Sequence, residues 1–314
     1  MRGHILALSG GVGGAKLAAG LAAVLPPERL TIAVNTGDDF EHLGMAVCPD
    51  IDSVVYAMAA LNDRERGWGV AGETWQAMAS LKALGEADWF NLGDRDLGMH
   101  IARSWRLRAG ASLSEVTARL GQALGIAQAG VPLSEGLRRT LVQTAAGWCD
   151  FQQWFVGDQC GPAVSAIRFA GTPGAAPSPG LAAALVRPDL AAIVICPSNP
   201  FLSIDPILAV DGVKAALLQR AVPCIAVSPL IGGKALKGPL SKMLGELGIA
   251  STNQSIAAHY GPLIDHLVID RSDVDDASSL QGGRLAVTVT RTLMKSVENQ
   301  VQLARDVLAA AGVE

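Results

Sequence analysis

Short apolar runs in this chain end, again and again, in bursts of Gly, Asp, Asn, Ser and Pro. HILAL (4–8) runs into Ser9-Gly10-Gly11-Val12-Gly13-Gly14-Ala15-Lys16, and LTIAV (30–34) into Asn35-Thr36-Gly37-Asp38-Asp39. WFNL (89–92) runs into Gly93-Asp94-Arg95-Asp96, and AAIVIC (191–196) into Pro197-Ser198-Asn199-Pro200. CIAV (224–227) runs into Ser228-Pro229-Leu230-Ile231-Gly232-Gly233-Lys234. Apolar runs this short, bounded by turn residues, read as buried strands. Helical stretches lie between them. One spans Ala15 to Val24 and stops at Pro26-Pro27; another spans Asp52 to Asn62, with Asp52 or Ser53 as its N-cap. Alternation of this kind predicts a parallel sheet with crossover helices. Ligands of such sheets bind outside the carboxyl ends of the strands. The pattern therefore predicts one site, assembled at one sheet edge from distant segments.

The middle of the chain reads differently. Residues 100–125 look helical, with Ser112 or Ser114 capping a helix that runs to Gly125. From Arg138 to Phe169, the segments RTLVQTAAG, CDFQQWFV and VSAIRF predict antiparallel strands. Gly171 to Gly180 is a loop by composition, alternation resumes at residue 183, and 295–312 reads as a last helix. The expected fold is α/β, a Rossmann-like three-layer parallel sheet with an inserted smaller α+β subdomain. Its core would be 1–95 and 180–314, and the inserted cap 96–179.

Composition narrows the partners. Of 314 residues, 50% are hydrophobic and 17% charged, enough for one large core with a sizeable insertion. A net charge of -4 and a pI near 5.8 leave no broad basic surface to neutralise nucleic-acid phosphates. Five cysteines show no C-x-x-C pair and no zinc spacing, so they read as free thiols in a reducing compartment. The glycine loop begins by residue 10, leaving no room for a signal peptide, and no uncharged apolar run approaches a membrane span of ~20 residues. A soluble cytoplasmic protein is expected.

Each polar burst admits a chemical and a plain reading. Gly10, Gly11, Gly13 and Gly14 open the first helix, where close backbone approach and free N–H groups favour a phosphate. The loop is not the dinucleotide fingerprint, because Lys16 stands where a third glycine would be. It is not a Walker loop, because Ala15 and Leu17 replace the second glycine and the magnesium-binding Ser or Thr. An anion site is the stronger reading over a bare turn. Asn35, Asp38, Asp39, Glu41 and His42 follow the second strand, where acids hold a ribose or a divalent metal, or simply form a turn. Asp52 alone reads first as an N-cap. Asp94, Arg95 and Asp96, with His100 and Arg103 a turn beyond, form either a ligand edge or their own salt bridges. Ser198 and Asn199, between prolines, offer hydrogen bonds to a base or sugar. Gly232, Gly233 and Lys234, with Lys237, suit a diphosphate or are plain surface. There is no G-x-S-x-G elbow and no Cys–His pair. Glycine loops, carboxylates and scattered cations together fit phosphoryl transfer.

LSGGVGGAKLAAGL, VNTGDDFEHLG, PDIDSVVY, LGDRDLGMHIAR, FQQWFV, CPSNPFLSIDPIL, VSPLIGGKALKGP and TLM (292–294) resemble, in order, blocks of the 2-phospho-L-lactate transferase (CofD) family across nearly the whole chain. The resemblance implies a step in coenzyme F-420 biosynthesis. A phospho-three-carbon acid (phospholactyl, phosphoenolpyruvyl or phosphoglyceryl) would pass from its GMP-activated diphosphate to the ribityl hydroxyl of the deazaflavin Fo, releasing GMP. It implies Mg2+, a Rossmann-like fold with an inserted subdomain, and a homodimer. It places Fo contacts at Asp52, with Asp50 as the alternative, and at Arg95. It places nucleotide and phosphate contacts at Gly10, Gly11, Gly13, Gly14, Lys16, Ser198, Asn199, Gly232, Gly233 and Lys234, and the metal and catalysis at Asp38 and Asp39. A related branch of this fold binds nucleotide sugars as a regulatory factor. P-D-x-D, G-D-R-D and F-Q-Q-W-F-V favour the transferase.

Overall fold

The strand His4–Ser9 is buried along its whole length, on both faces, because helices cover both sides of the sheet it occupies. The computed structural model describes residues 3–172, 174–280 and 284–313. Seven strands make the main sheet: β1 (His4–Ser9), β2 (Leu30–Val34), β3 (Ala129–Pro132), β4 (Leu190–Ile195), β5 (Cys224–Val227), β6 (His266–Asp270) and β7 (Ala286–Thr290). Every pairing is parallel, and the order across the sheet is β7-β6-β5-β4-β1-β2-β3. The winding direction reverses between β1 and β4, which makes their carboxyl ends the topological switch point.

Alternate side chains fill two cores. Ile5, Ala7, Ile32, Val34 and Val194 face α1 (Gly11–Val24), α2 (Pro49–Met58) and the last helix (Val297–Ala310). Leu6, Leu8, Ile193 and Ile195 face Leu181, Ile207, Leu217 and Tyr260 on the other side. Burying each Leu or Ile contributes roughly 1.5–3 kcal/mol. The sheet is therefore the rigid element from which the loops are hung. Among the described residues, no helix is long and apolar enough to cross a membrane.

The expected α/β class stands, but the cap boundaries 96–179 do not describe the chain's path. Within that span lies β3, which pairs with β2 from Thr31–Ala129 to Val34–Pro132 and forms one edge of the main sheet. Its sequence, AGVP, is too short and too poor in β-branched residues to stand out, and its proline suits an edge. Two excursions leave the sheet instead. The first, from β2 to β3, holds the hairpin Phe40–His42/Met45–Val47, α2, a short helix at Gln76–Ala83, and two longer helices, α3 (Asp94–Arg108) and α4 (Leu113–Ala123). Ser112 caps α4 in a reciprocal box with Glu115. The second, from β3 to β4, holds a separate sheet in which Arg138–Thr144 lies between Gly147–Asp150 and Ala166–Gly171, all antiparallel.

Three local readings change. WFNL is not a strand. It leads into α3, and Trp89 and Phe90 pack with Phe40 and His42. Asp52 is not an N-cap, because α2 begins three residues earlier with Pro49 at its first position. FQQWFV is a wide helical turn, since Phe151, Trp154 and Phe155 carry helical and not alternating spacing. Trp154 is fully buried there among Val142, Phe151, Val164, Leu202 and Met243, and its Nε1 donates to the Pro162 carbonyl at 2.8 Å. Leu202 and Met243 come from the main domain, so this small core fastens the second sheet to the first. Trp154→Ala should cost about 3–5 kcal/mol of unfolding free energy. Urea titration checks this, and a loss under about 1 kcal/mol would contradict the fastening role.

Candidate active site

At the switch point two backbones pass too closely for side chains. A Cβ built on Gly13 would lie 2.3 Å from the Pro197 carbonyl oxygen, and one on Gly14 would lie 2.4 Å from Ser198 Oγ. The Gly10 N–H donates to Ser198 Oγ at 3.1 Å. Asn199 Oδ1 accepts from the N–H groups of Phe201 and Leu202 at 3.0 and 3.2 Å, which starts the next helical turn. Its Nδ2 is buried without a partner. α1 has neither a side-chain cap nor an acid in its first turn. The Gly11 N–H donates to Asp50 Oδ1 at 2.6 Å. The N–H groups of Val12 and Gly13 lie in the first turn, where no intrahelical acceptor exists and the helix dipole adds positive charge.

The acids gather beside this helix start. Asn35, fully buried at the end of β2, is their hub. Its Nδ2 donates to Asp50 Oδ2 at 2.8 Å and to the Leu202 carbonyl at 3.2 Å, and its Oδ1 accepts from Gly37 N–H at 2.8 Å. The second sheet steadies the turn from outside. Thr140 N–H donates to the Gly37 carbonyl at 2.6 Å and Arg139 to the Asp39 carbonyl at 2.8 Å. Burial pushes the Asp50 carboxyl up to about 6, with Asn35 and the Gly11 N–H pulling the other way. Burial, then the neighbouring Asp50, raises Asp38 well above the usual carboxylate range. Burial also raises Asp39, against the pull of Cys48 and Arg103. Asp38 Oδ1, Asp39 Oδ1, Thr36 Oγ1, Thr140 Oγ1 and Ser9 Oγ are buried without partners. Polar atoms in such number do not normally stay unpaired.

The two aspartates of P-D-x-D go to different places. Asp50 faces the glycine loop. Asp52 faces α3, where the Arg103 guanidinium grips both its carboxylate oxygens, with Nη1–Oδ2 at 3.1 Å. Arg103 is 1% exposed; burial opposes its charge, and Asp52 more than offsets that. His100 stands 3.2 Å from Asp96, which also accepts from Tyr56 Oη. Burial pushes Asp96 up, but His100 and Tyr56 outweigh it and hold the carboxyl below its usual range. Of the two readings of this cluster, mutual salt bridges describe Asp52, Asp96, His100 and Arg103. Arg95 stands apart and exposed, its Nη1 donating to the Ala71 carbonyl at 2.6 Å. It lines an apolar cavity of about 290 Å³ with Tyr56, Met99, Ala102, Leu120 and Leu124.

The second glycine-rich end is already occupied from within. The N–H groups of Gly232 and Gly233 donate to the two oxygens of Asp273 at 2.9 and 2.8 Å, and Lys234 is exposed. Lys16 Nζ donates to the Met294 carbonyl at 3.2 Å. The structure thus brings Gly10, Gly11, Gly13, Gly14, Ser198, Asn199, Asp38 and Asp50 to one place, with Asp39 adjoining. It leaves Asp52, Arg95, Gly232, Gly233 and Lys234 in other surroundings. Glu41 is exposed, and His42 sits in the aromatic cluster. Thr140 and Arg139 belong to the site's support, and no sequence signal marked them, since both lie in an ordinary alternating strand.

Among the described residues, no three His, Cys, Asp or Glu side chains converge as a metal centre. Asp38 is a neighbouring carboxylate with an oxygen to spare, since both oxygens of Asp50 are already hydrogen-bonded. Magnesium, which takes one or two carboxylates and completes its shell with water and phosphate, would fit there. The orphaned, charge-disfavouring position of Asp38 Oδ1 is what a cation would relieve.

The comparisons converge. A family model described as "2-phospho-L-lactate transferase CofD" matches residues 5–306. A phosphoenolpyruvate transferase of Kitasatospora aureofaciens is 37% identical over 98% of this chain and 98% of its own. A 2-phospho-L-lactate transferase of Methanosarcina mazei is 35% identical over 98% of this chain and 100% of its own. Among solved structures, a UPF0052 family member from Bacillus halodurans shares the fold with a TM-score of 0.62 at 16% identity, over 98% of this chain and 99% of that one.

The Asp52–Arg103 pair generates a stability prediction. Arg103→Met strands a buried carboxylate and should cost about 3–5 kcal/mol. Adding Asp52→Asn should recover part of that loss, because the stranded charge is gone. Urea unfolding of the single and double variants checks the coupling, and strictly additive losses would refute the pair.

Proposed function

Because the chain belongs to the 2-phospho-L-lactate transferase (CofD) family, we propose that it carries out the transfer to Fo in coenzyme F-420 biosynthesis. A phospholactyl, phosphoenolpyruvyl or phosphoglyceryl group moves from its GMP-activated diphosphate to the ribityl hydroxyl of Fo. The observation that carries this reading is the cradle at the switch point: the first turn of α1, with the N–H groups of Val12 and Gly13 uncapped by any side chain, set beside buried carboxylates. Val12 and Gly13 N–H groups hold diphosphate oxygens, and Ser198 and Asn199 face the nucleoside. Asp50, fixed by Gly11 N–H and Asn35, accepts the proton of the ribityl hydroxyl as its oxygen bonds to phosphorus and the bond to GMP breaks. A carboxyl pushed up to about 6 is suited to take a proton near neutral pH. Arg95 meets the ring system of Fo at the rim of the apolar cavity. Asp38 would hold magnesium through its unpartnered Oδ1, and the bound ion would supply positive charge against the diphosphate. The active form is a cytoplasmic homodimer.

Incubation with Fo, magnesium and each of the three activated donors tests the reading. GMP release and a product heavier than Fo by the phospho-acid are expected. Binding of the donors with no product from any of them would favour the regulatory-factor reading.

Two variants separate the acids. Asp50→Asn should lower kcat by about 10²–10⁴-fold while sparing GDP affinity, and wild-type turnover should rise with pH through about 6 as Asp50 loses its proton. A flat pH–rate profile would overturn the base assignment. Asp38 tests the metal through stability. Its folded pKa lies above the unfolded value, so the folded chain keeps that proton longer, and stability falls as pH rises above about 4. Asp38→Asn abolishes this penalty. In chelator at about pH 8 the variant should melt higher than the parent, with the gap closing toward about pH 4–5. Magnesium should raise the parent's Tm and leave the variant's unchanged. Equal magnesium responses would remove Asp38 from the metal site.

A further inference from the structure

Two ammonium groups stand near the first turns of α1, and each rests on a neutral carbonyl. Lys16 Nζ donates to Met294, and Lys237 Nζ donates to the Arg66 carbonyl at 3.1 Å. Among the described residues, the lysines that form ion pairs are Lys82 and Lys242. Lys16 and Gly67 line one small space, and Gly67 lies against Lys237, so the two charges share one neighbourhood; burial and then Lys237 push the Lys16 ammonium below its ordinary pKa. Like charges held together without a counter-ion are poised for an anion.

The loop 62–70 closes over the same place. Its ends are bridged by Asn62 and Val70. Arg66 stacks against Trp68 and Trp75, its guanidinium 5.1 and 4.9 Å from the two rings. Gly67, with φ +82°, lies directly under Lys237. A Cβ there would be 1.8 Å from Nζ. The space left among Val12, Lys16, Gly67 and Trp68 is about 20 Å³, room for one water and not for a phosphate. A ligand set against Val12 and Lys16 must therefore lift this loop, and Lys237 ties it to the segment after β5.

We propose that Lys237 is both a ligand of the donor's diphosphate and the latch of the 62–70 loop. The diphosphate draws its ammonium from the Arg66 carbonyl, and the freed loop admits the nucleotide. A charge-assisted bond to phosphate is stronger than one to a neutral carbonyl, and the anion also relieves the repulsion between Lys16 and Lys237. The inference rests on the reading that a diphosphate sits at the start of α1.

Calorimetric titration with GDP in magnesium buffer, beside hydrogen exchange of residues 63–70, tests it on the full-length chain. Lys237→Met should weaken GDP binding by about tenfold to a hundredfold, and Lys237→Arg should retain most of it. GDP should speed exchange at 63–70 in the parent, and unliganded Lys237→Met should already exchange at the faster rate. If the parent binds GDP and Lys237→Met binds it equally well, the assignment of Lys237 falls while the donor site stands. Exchange at 63–70 that GDP leaves unchanged in the parent also overturns the latch. If the parent binds no GDP, the donor-site reading falls and takes the latch with it.

Discussion

The backbone contact between Gly13–Gly14 and Pro197–Ser198 is the constraint on which the rest depends. β1 and β4 are neighbours in the sheet, yet their following segments leave in opposite directions. They can separate at that point only if the first turn of α1 slides past the 197–198 peptide. A single Cβ on either glycine would collide with a carbonyl or hydroxyl oxygen. The glycines are therefore not loose hinges. They are the tightest packing in the site, and their closeness fixes where the first helical N–H groups point. The same contact sets the position of Ser198, which receives the Gly10 N–H, and hence of Asn199 and the turn it caps.

On that fixed frame the protein stores a charge imbalance. Asp38, Asp39 and Asp50 are drawn into the interior by short connections to β2 and α2, and burial opposes ionisation of all three. Asp50 has both oxygens taken by Gly11 and Asn35, whereas Oδ1 of Asp38 and of Asp39 has no partner. The neighbouring group is paired at its carboxylates, where Arg103 closes on Asp52 and Tyr56 on Asp96. Asp50 and Asp52 lie on opposite sides of α2, and their surroundings show the contrast within one molecule. One is balanced and serves the fold. The other is unbalanced, and an added cation or proton would complete it.

The strand ends that build the site were legible because short apolar runs and abrupt polar bursts are local features. β1, β2, β4 and β5 stand where that pattern puts them. β3 was not legible, since its edge position asks little of its side chains and AGVP looks like a loop. P-D-x-D could not be resolved because its outcome depends on where α2 begins. With Pro49 as the first residue, Asp50 and Asp52 lie about 200° apart around the helix, so one faces the glycine loop and the other α3. The glycines at 232 and 233 were misleading for a related reason. Their N–H groups do form an anion nest, but Asp273, 40 residues downstream in sequence from Gly233, fills it. A motif shows that backbone donors are available locally. It does not show whether the fold supplies their acceptor.

Charge is laid out across the site in a way that no single motif carries. The carboxylates stand on the β2 side, Lys16 and Lys237 stand at the helix start and on the β5 side, and the uncapped turn of α1 lies between. A bare carboxylate ligand would be repelled by the first group, and a bare cation by the second. A diphosphate carrying a divalent ion presents both signs at once and matches the layout from end to end. Asp38 and Asp50 are buried, so a mismatch against them would be expensive. On the proposed reading, the metal–diphosphate pair would bind as a unit, and the apolar cavity beside Arg95 would leave a separate place for a flat, weakly charged second substrate.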